Sequence, residues 1–111
     1  MATSGGLYKT VDLHGADTTS DTIQVGGTPD GSYISGVIHV SNLSGGGSIV
    51  LSAQVYPGTD WVAIQTTNLN DGTEAASITA DGLYGVTLLG IGAIQSVLTG
   101  TVDFAWIGLS T

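Results

Sequence analysis

The chain has no cysteine and no arginine, and its one lysine is Lys9. Without cysteine there is no disulfide framework, no thiolate metal site and no cysteine nucleophile, and the redox compartment is left open. Nine carboxylates against that lysine give a formal charge of −8, with His14 and His39 neutral. A nucleic-acid binder needs several cations to displace the counterions of phosphates. An anionic membrane surface makes the same demand. The composition therefore predicts no nucleic-acid partner and no membrane partner. Charge is scarce altogether, at 9% of the residues, against roughly 25% in an ordinary domain. The exterior must then be built from Ser, Thr, Asn, Gln and Gly with some apolar side chains. Such a surface suits a protein that is covered by partners or repeated in an assembly. The acidity reads as a solubility device.

Long hydrophobic runs are missing too. "LYGVTLLGIGAIQSVL" is interrupted by Gly85, Thr87, Gly90, Gly92, Gln95 and Ser96, too short and too broken for a membrane-spanning helix. The start, "MATSGGLYKTVDL", has neither the basic region nor the apolar stretch of a signal peptide. Synthesis and assembly in a host cytoplasm is the expectation. The vocabulary of helix surfaces is nearly absent, because Glu and Lys together total two residues.

What is present is Gly, at 18 residues, with many Thr, Ser, Val and Ile. Runs of about five to nine residues are separated by Gly and Asp signals, the pattern of an all-β chain. The length of 111 residues predicts one domain, able to bury roughly two thirds of its unfolded surface. "MATSGG" is expected to be a mobile arm over residues 1–6, with a single β-sandwich domain over 7–111. "LYKTVDL" places Leu7, Lys9, Val11 and Leu13 on one side, and this segment is expected at a sheet edge. "YISGVIHVS" alternates Ile34, Gly36, Ile38 and Val40 against Tyr33, Ser35, Val37 and His39. "IVLSAQVY" alternates Ile49, Leu51, Ala53 and Val55 against Val50, Ser52, Gln54 and Tyr56. "LYGVTLL" puts Tyr84, Val86 and Leu88 together. In "TVDFAWIGL", Val102, Phe104 and Trp106 alternate with Asp103, Ala105 and Ile107.

"YPGT" carries Pro57 and Gly58 at the central positions of a type II turn. It should send "DWVAIQTT" back antiparallel to "IVLSAQVY". Trp61 then begins the return strand, where it closes the end of the core, with a ligand-stacking platform as the second reading. "NLNDGT" reads as a turn, and Asp81–Gly82 as a tight hairpin. Consecutive hairpins predict an antiparallel β-sandwich or jelly roll of about eight strands.

No constellation for catalysis stands out, and no catalytic, cofactor-binding or metal residue is assigned; the chain is expected not to be an enzyme. There is no G-x-S-x-G, and "SGGGS" at Ser44 to Ser48 is a loop rather than a nucleophile elbow or phosphate cradle. "HGADTTSD", with His14, reads as a solvated loop. Asn68, Asn70, Asp71 and Glu74 superficially suggest a Ca²⁺ loop, but the EF-hand spacing is not met. Asn, Asp and Gly also make turns for backbone reasons alone, so a structural turn is the first reading.

The second half, "GSIVLSAQVYPGTDWVAIQTTNL…GLYGVTLLGIGAIQSVLTGTVDFAWIGLS", resembles a small β-sandwich module of tailed-bacteriophage and prophage structural proteins. The matching motifs are Pro57-Gly58-Thr59-Asp60-Trp61 for a "DG-x-x-W" turn, Gly82-Leu83-Tyr84 for a "G-x-Y" strand, and Thr99-Gly100-Thr101 for a hairpin of the "SGT" or "TGT" kind. "PG" replaces the usual "DG", and the likeness covers residues 45–110. It implies a virion structural protein and no catalytic residues. A capsid decoration (cement) protein on the outer head surface is the first expectation, with the major capsid protein or other virion proteins as partners. Self-assembly into a homo-oligomer is expected, with a trimer as the guess. A tail, neck or fibre component is the alternative. A carbohydrate-binding module, with Trp61, Trp106 and Tyr56 as stacking faces, is the alternative from another class.

Overall fold

The computed structural model describes residues 8–13, 22–27, 31–55 and 60–111. Within them the chain is all-β, with eleven strands in two antiparallel sheets packed face to face as a β-sandwich. No helix among the described residues is long and apolar enough to cross a membrane. The strands are β1 (Tyr8–Asp12), β2 (Ile23–Gln24), β3 (Ser35–Ser41), β4 (Ser48–Gln54), β5 (Val62–Ala63), β6 (Thr66–Asn68), β7 (Glu74–Ala75), β8 (Ser77–Ile78), β9 (Gly82–Thr87), β10 (Ala93–Thr99) and β11 (Phe104–Ser110). The excess over eight comes from two-residue strands at the margins.

The larger sheet has the order β1-β11-β3-β9-β6-β7. The smaller has β2-β10-β4-β5, with β8 also against β4. β5 and β8 share one side of β4, pairing near its two ends. β1 is an edge strand, as expected for this segment. Between the sheets lie Ile38, Val40, Tyr84, Val86, Ile107 and Leu109 from one side and Ile49, Leu51, Ile94 and Leu98 from the other. Every one sits at an alternate position, because the pleat sends successive side chains to opposite faces. Gly36 is inward among them. A Cβ there would stand 3.0 Å from Ile107 Cδ1 and 3.2 Å from Val86 Cγ1, so this glycine makes room for its neighbours.

Three expectations are corrected. Consecutive hairpins do not build this fold. β3 to β4, β8 to β9, β9 to β10 and β10 to β11 all pass from one sheet to the other, whereas β4–β5 and β6–β7 are hairpins within a sheet. Asp81–Gly82 and Thr99–Thr101 therefore serve crossings, not hairpins. The second correction concerns facing. Tyr33 is buried and Ile34 exposed, because Tyr33 N–H bonds to the Val25 carbonyl (2.7 Å) before β3 begins. Val55 is 71% exposed, since β4 ends one residue before it. The third is Trp61, which is half-buried rather than a member of the buried core. The return strand does run antiparallel, with Ser52 opposite Ala63 and Ile64 N–H on the Leu51 carbonyl (2.9 Å). It then leaves for the larger sheet, where Thr67 stands opposite Gly85. The Pro57–Gly58 turn, Tyr56, the 1–6 arm and the His14 loop lie outside the described residues.

Candidate functional site

Strand composition sets the character of the surface. Among the described residues, β2 to β6 and β8 to β11 contain no Asp, Glu, Lys or Arg. Charged side chains stand on the edge strands, as Lys9, Asp12 and Glu74, and in connections, as Asp60, Asp71, Asp81 and Asp103. The central strands of both faces are thus uncharged, while carboxylates stand at the flanks of the larger sheet's outer face, Asp12 opposite Trp106 and Glu74 opposite Thr67.

The outer face of the larger sheet carries an exposed apolar row. Trp106 on β11 stands opposite His39 on β3, and His39 opposite Leu83 on β9. Leu69 continues the row through its N–H bond to the Leu83 carbonyl (3.0 Å). Trp106 is 42% exposed, and Leu83 and Leu69 are each about half exposed (48% and 53%). The His39 ring meets Phe104 edge-on, with centroids 4.7 Å apart. That contact fixes the imidazole on a diagonal pair of neighbouring strands. The next row is Gly108, Val37 and Gly85. Leu69 leans over Gly85, with its Cδ2 3.1 Å from where a Cβ would sit. A shallow groove runs beside it, lined by Val37 and Leu69 with Ser35, Thr67, Thr87 and the carboxylate Glu74.

The outer face of the smaller sheet is different. Gln54, Gln95, Ser52 and Ser48 cover it, with Val97 as its exposed apolar side chain. A groove at one end is lined by Thr22, Gln24, Gln54, Val55 and Gly92. The Gln24 amide is already committed, donating to the Gly26 and Gly27 carbonyls at 3.1 and 3.3 Å.

One end of the sandwich is tied by side chains whose partners the sequence did not reveal. Both Asp81 carboxylate oxygens accept backbone N–H groups, from Asn42 (3.0 Å) and Leu43 (2.8 Å). Asn42 holds a left-handed backbone, φ 57°, and its amide donates to Asp103 at 2.6 Å. Ser44 Oγ accepts the Thr101 N–H at 3.0 Å. A Cβ on Gly100 would run into that hydroxyl oxygen. Three crossings between the sheets are thereby joined at one pole.

The Asn68–Glu74 segment is a turn held by its own backbone. Asn68 Oδ1 accepts the Asn70 N–H and Asp71 Oδ1 the Thr73 N–H, both at 2.8 Å. Gly72 supplies the positive φ of 79°. The backbone N–H and then the hydroxyl of Thr73 hold the Asp71 carboxyl below the usual carboxylate range. These oxygens thus serve the turn, which is the first reading of this motif. Among the described residues no three His, Asp or Glu side chains are grouped to hold a metal ion. Trp106 and Trp61, both offered as stacking faces, stand apart, Trp106 on β11 and Trp61 just before β5, and Trp106 is the more exposed.

The fold and surface define a class: an antiparallel β-sandwich, without helix among the described residues, whose central strands carry no charge and whose charges stand at the flanks and in the connections. Among solved structures, the chain is similar to the crystal structure of SPBc2 prophage-derived protein YomS, with a TM-score of 0.74 and 17% sequence identity. The match covers 99% of this chain and 97% of that one. No family model matches the chain, and no curated protein matches it in sequence.

Proposed function

We propose that this protein is a bacteriophage structural component, most simply a capsid decoration protein attached to the outer head surface, and not an enzyme. The observation that carries this reading is the charge-free centre of both faces on a small sandwich. A face without charged groups can be buried against a partner without desolvating an ion. The similarity in fold to a prophage-derived protein along almost the whole of both chains supports a phage origin. The major capsid protein is the proposed partner and the virion the proposed location. The −8 charge argues against phosphate-rich partners.

Undecorated heads of the phage that encodes the protein provide the test. The purified protein should co-sediment with them to saturation, and its Trp emission should stay constant on titration with neutral oligosaccharides. Recovery with tails or necks but not heads would move the assignment to those parts. Sugar-dependent Trp quenching without binding to any particle would replace it with a carbohydrate-binding module, for which the exposed Trp106 is the favouring feature.

A further inference from the structure

We infer that the outer face of the larger sheet is a self-association surface, on which two copies of this chain pack face to face about a two-fold axis. The inference stands apart from the virion reading and is tested without any particle.

The arrangement of side chains along the strands is the first ground. On β11 a large exposed residue, Trp106, is followed two positions on by Gly108. On β9 Leu83 is followed in the same way by Gly85. The two strands run in the same direction, each antiparallel to β3 between them. The face is thus a ridge of Trp106, His39 and Leu83 beside a row of Gly108, Val37 and Gly85. A two-fold axis in the plane of the face, across the strands and between these rows, lays each ridge on the other copy's lower row. Trp106 then covers Gly108 of the second copy, and His39 meets Val37. Leu83 meets Leu69, which lies over Gly85. A surface on which one patch matches itself is what an isologous contact requires.

Charge selects the occupant. A chain at −8 repels its own copy wherever carboxylates meet, so a second copy must approach in a register that keeps them apart. This face has none on β11, β3, β9 or β6; at its flanks stand Asp12, opposite Trp106, and Glu74, opposite Thr67, and the two-fold lays Asp12 over Thr10 of the second copy rather than over another carboxylate. A cationic partner would be drawn instead to the acidic rim. Strand spacing sets the size: β1, β11, β3, β9 and β6, of three to seven residues each and about 4.8 Å apart, give a face of roughly 450 Å². Two copies would bury roughly 900 Å², just short of the ~1,000 Å² of a stable specific contact and in the range of weak association. Association should accordingly be reversible and concentration-dependent. The outer face of the smaller sheet, rich in Gln and Ser, has no comparable ridge.

Analytical ultracentrifugation of the full chain up to about 1 mM tests this, alongside Trp emission. The expected result is a monomer–dimer equilibrium, with emission shifting to the blue as Trp106 is covered. Val37→Asp and Leu83→Asp should each weaken the dimer about tenfold or more. Val97→Asp, on the opposite face, should leave it unchanged. Should an aspartate variant lose its cooperative melt, Val37→Ser takes its place, since the neighbouring outward position of β3 is already Ser35. A chain that stays monomeric throughout would overturn the inference. So would a Val97→Asp effect as large as that of Val37→Asp. Trp emission that responds to oligosaccharide but not to protein concentration would also overturn it, and would make the ridge a glycan platform.

Discussion

Tyr84 shows how one side chain joins core and turn. It is inward on β9 and 6% exposed, yet its hydroxyl donates to the Ala80 carbonyl at 2.8 Å. Burial, and then the charges of Asp71 and Asp81, push its phenol above the ordinary value of 10.0. The folded chain therefore holds this proton more tightly than the unfolded chain. The resulting stability is complete below pH ~10 and is lost as pH rises from there through the raised folded value. Tyr84→Phe should flatten that alkaline loss in urea titrations followed from pH 8 to 11. At neutral pH it should cost about 1 kcal/mol for the lost hydrogen bond. An unchanged alkaline limb would show that another group causes it. Asp71 has the opposite sign. Its lowered carboxyl contributes above the ordinary carboxylate range, and the contribution fades as pH falls through that range.

At the scale of elements, the pole where the crossings meet matters more than any single strand. Asp81 reaches residues 39 and 38 positions away, so its carboxylate ties the start of β9 to the connection between β3 and β4. Asp81→Ala should lower stability by about 1 kcal/mol, read as a shift in urea midpoint with an unchanged slope. Asp81→Asn, which keeps one acceptor, should recover part of it. A midpoint unmoved by Asp81→Ala would show that water replaces the carboxylate fully. This pole also marks where sequence reading stops. Alternation put Ile38 with Val40, Ile49 with Leu51 and Tyr84 with Val86 on shared sides of their strands, since the pleat forces period two, and those sides face the core. The Asp81–Gly82 and Thr99–Thr101 signals located changes of direction. A turn signal specifies local backbone angles and does not say which sheet receives the next strand. That choice depends on partners such as Asn42 and Leu43, which no local pattern reveals. Tyr33 and Ile34 were misplaced for the same reason, because Val25 captures the Tyr33 amide. The exposed ridge was legible only as an alternation containing Trp106. Which side was outward depended on the registers that bring His39 and Leu83 beside it.

For the whole molecule, charge placement decides how copies and partners meet. A net −8 with a pI near 4.1 gives every approach of two copies a long-range repulsion, while the faces that would touch contribute no ion pairs. Salt screens the repulsion over a Debye length of about 8 Å at physiological strength and about 3 Å at 1 M. It leaves contact between apolar side chains intact or strengthens it when the anion is sulfate. The sign of the salt effect therefore distinguishes two kinds of association. Contact through the Trp106 face should tighten as sodium chloride rises from low to physiological strength, and tighten further in sodium sulfate. Contact through Lys9 and a carboxylate of a neighbouring rim should weaken over the same range, because the attraction itself is screened. Sedimentation equilibrium across a salt series measures this directly. Weakening with salt would assign the contact to the rim and leave both sheet faces free for the capsid.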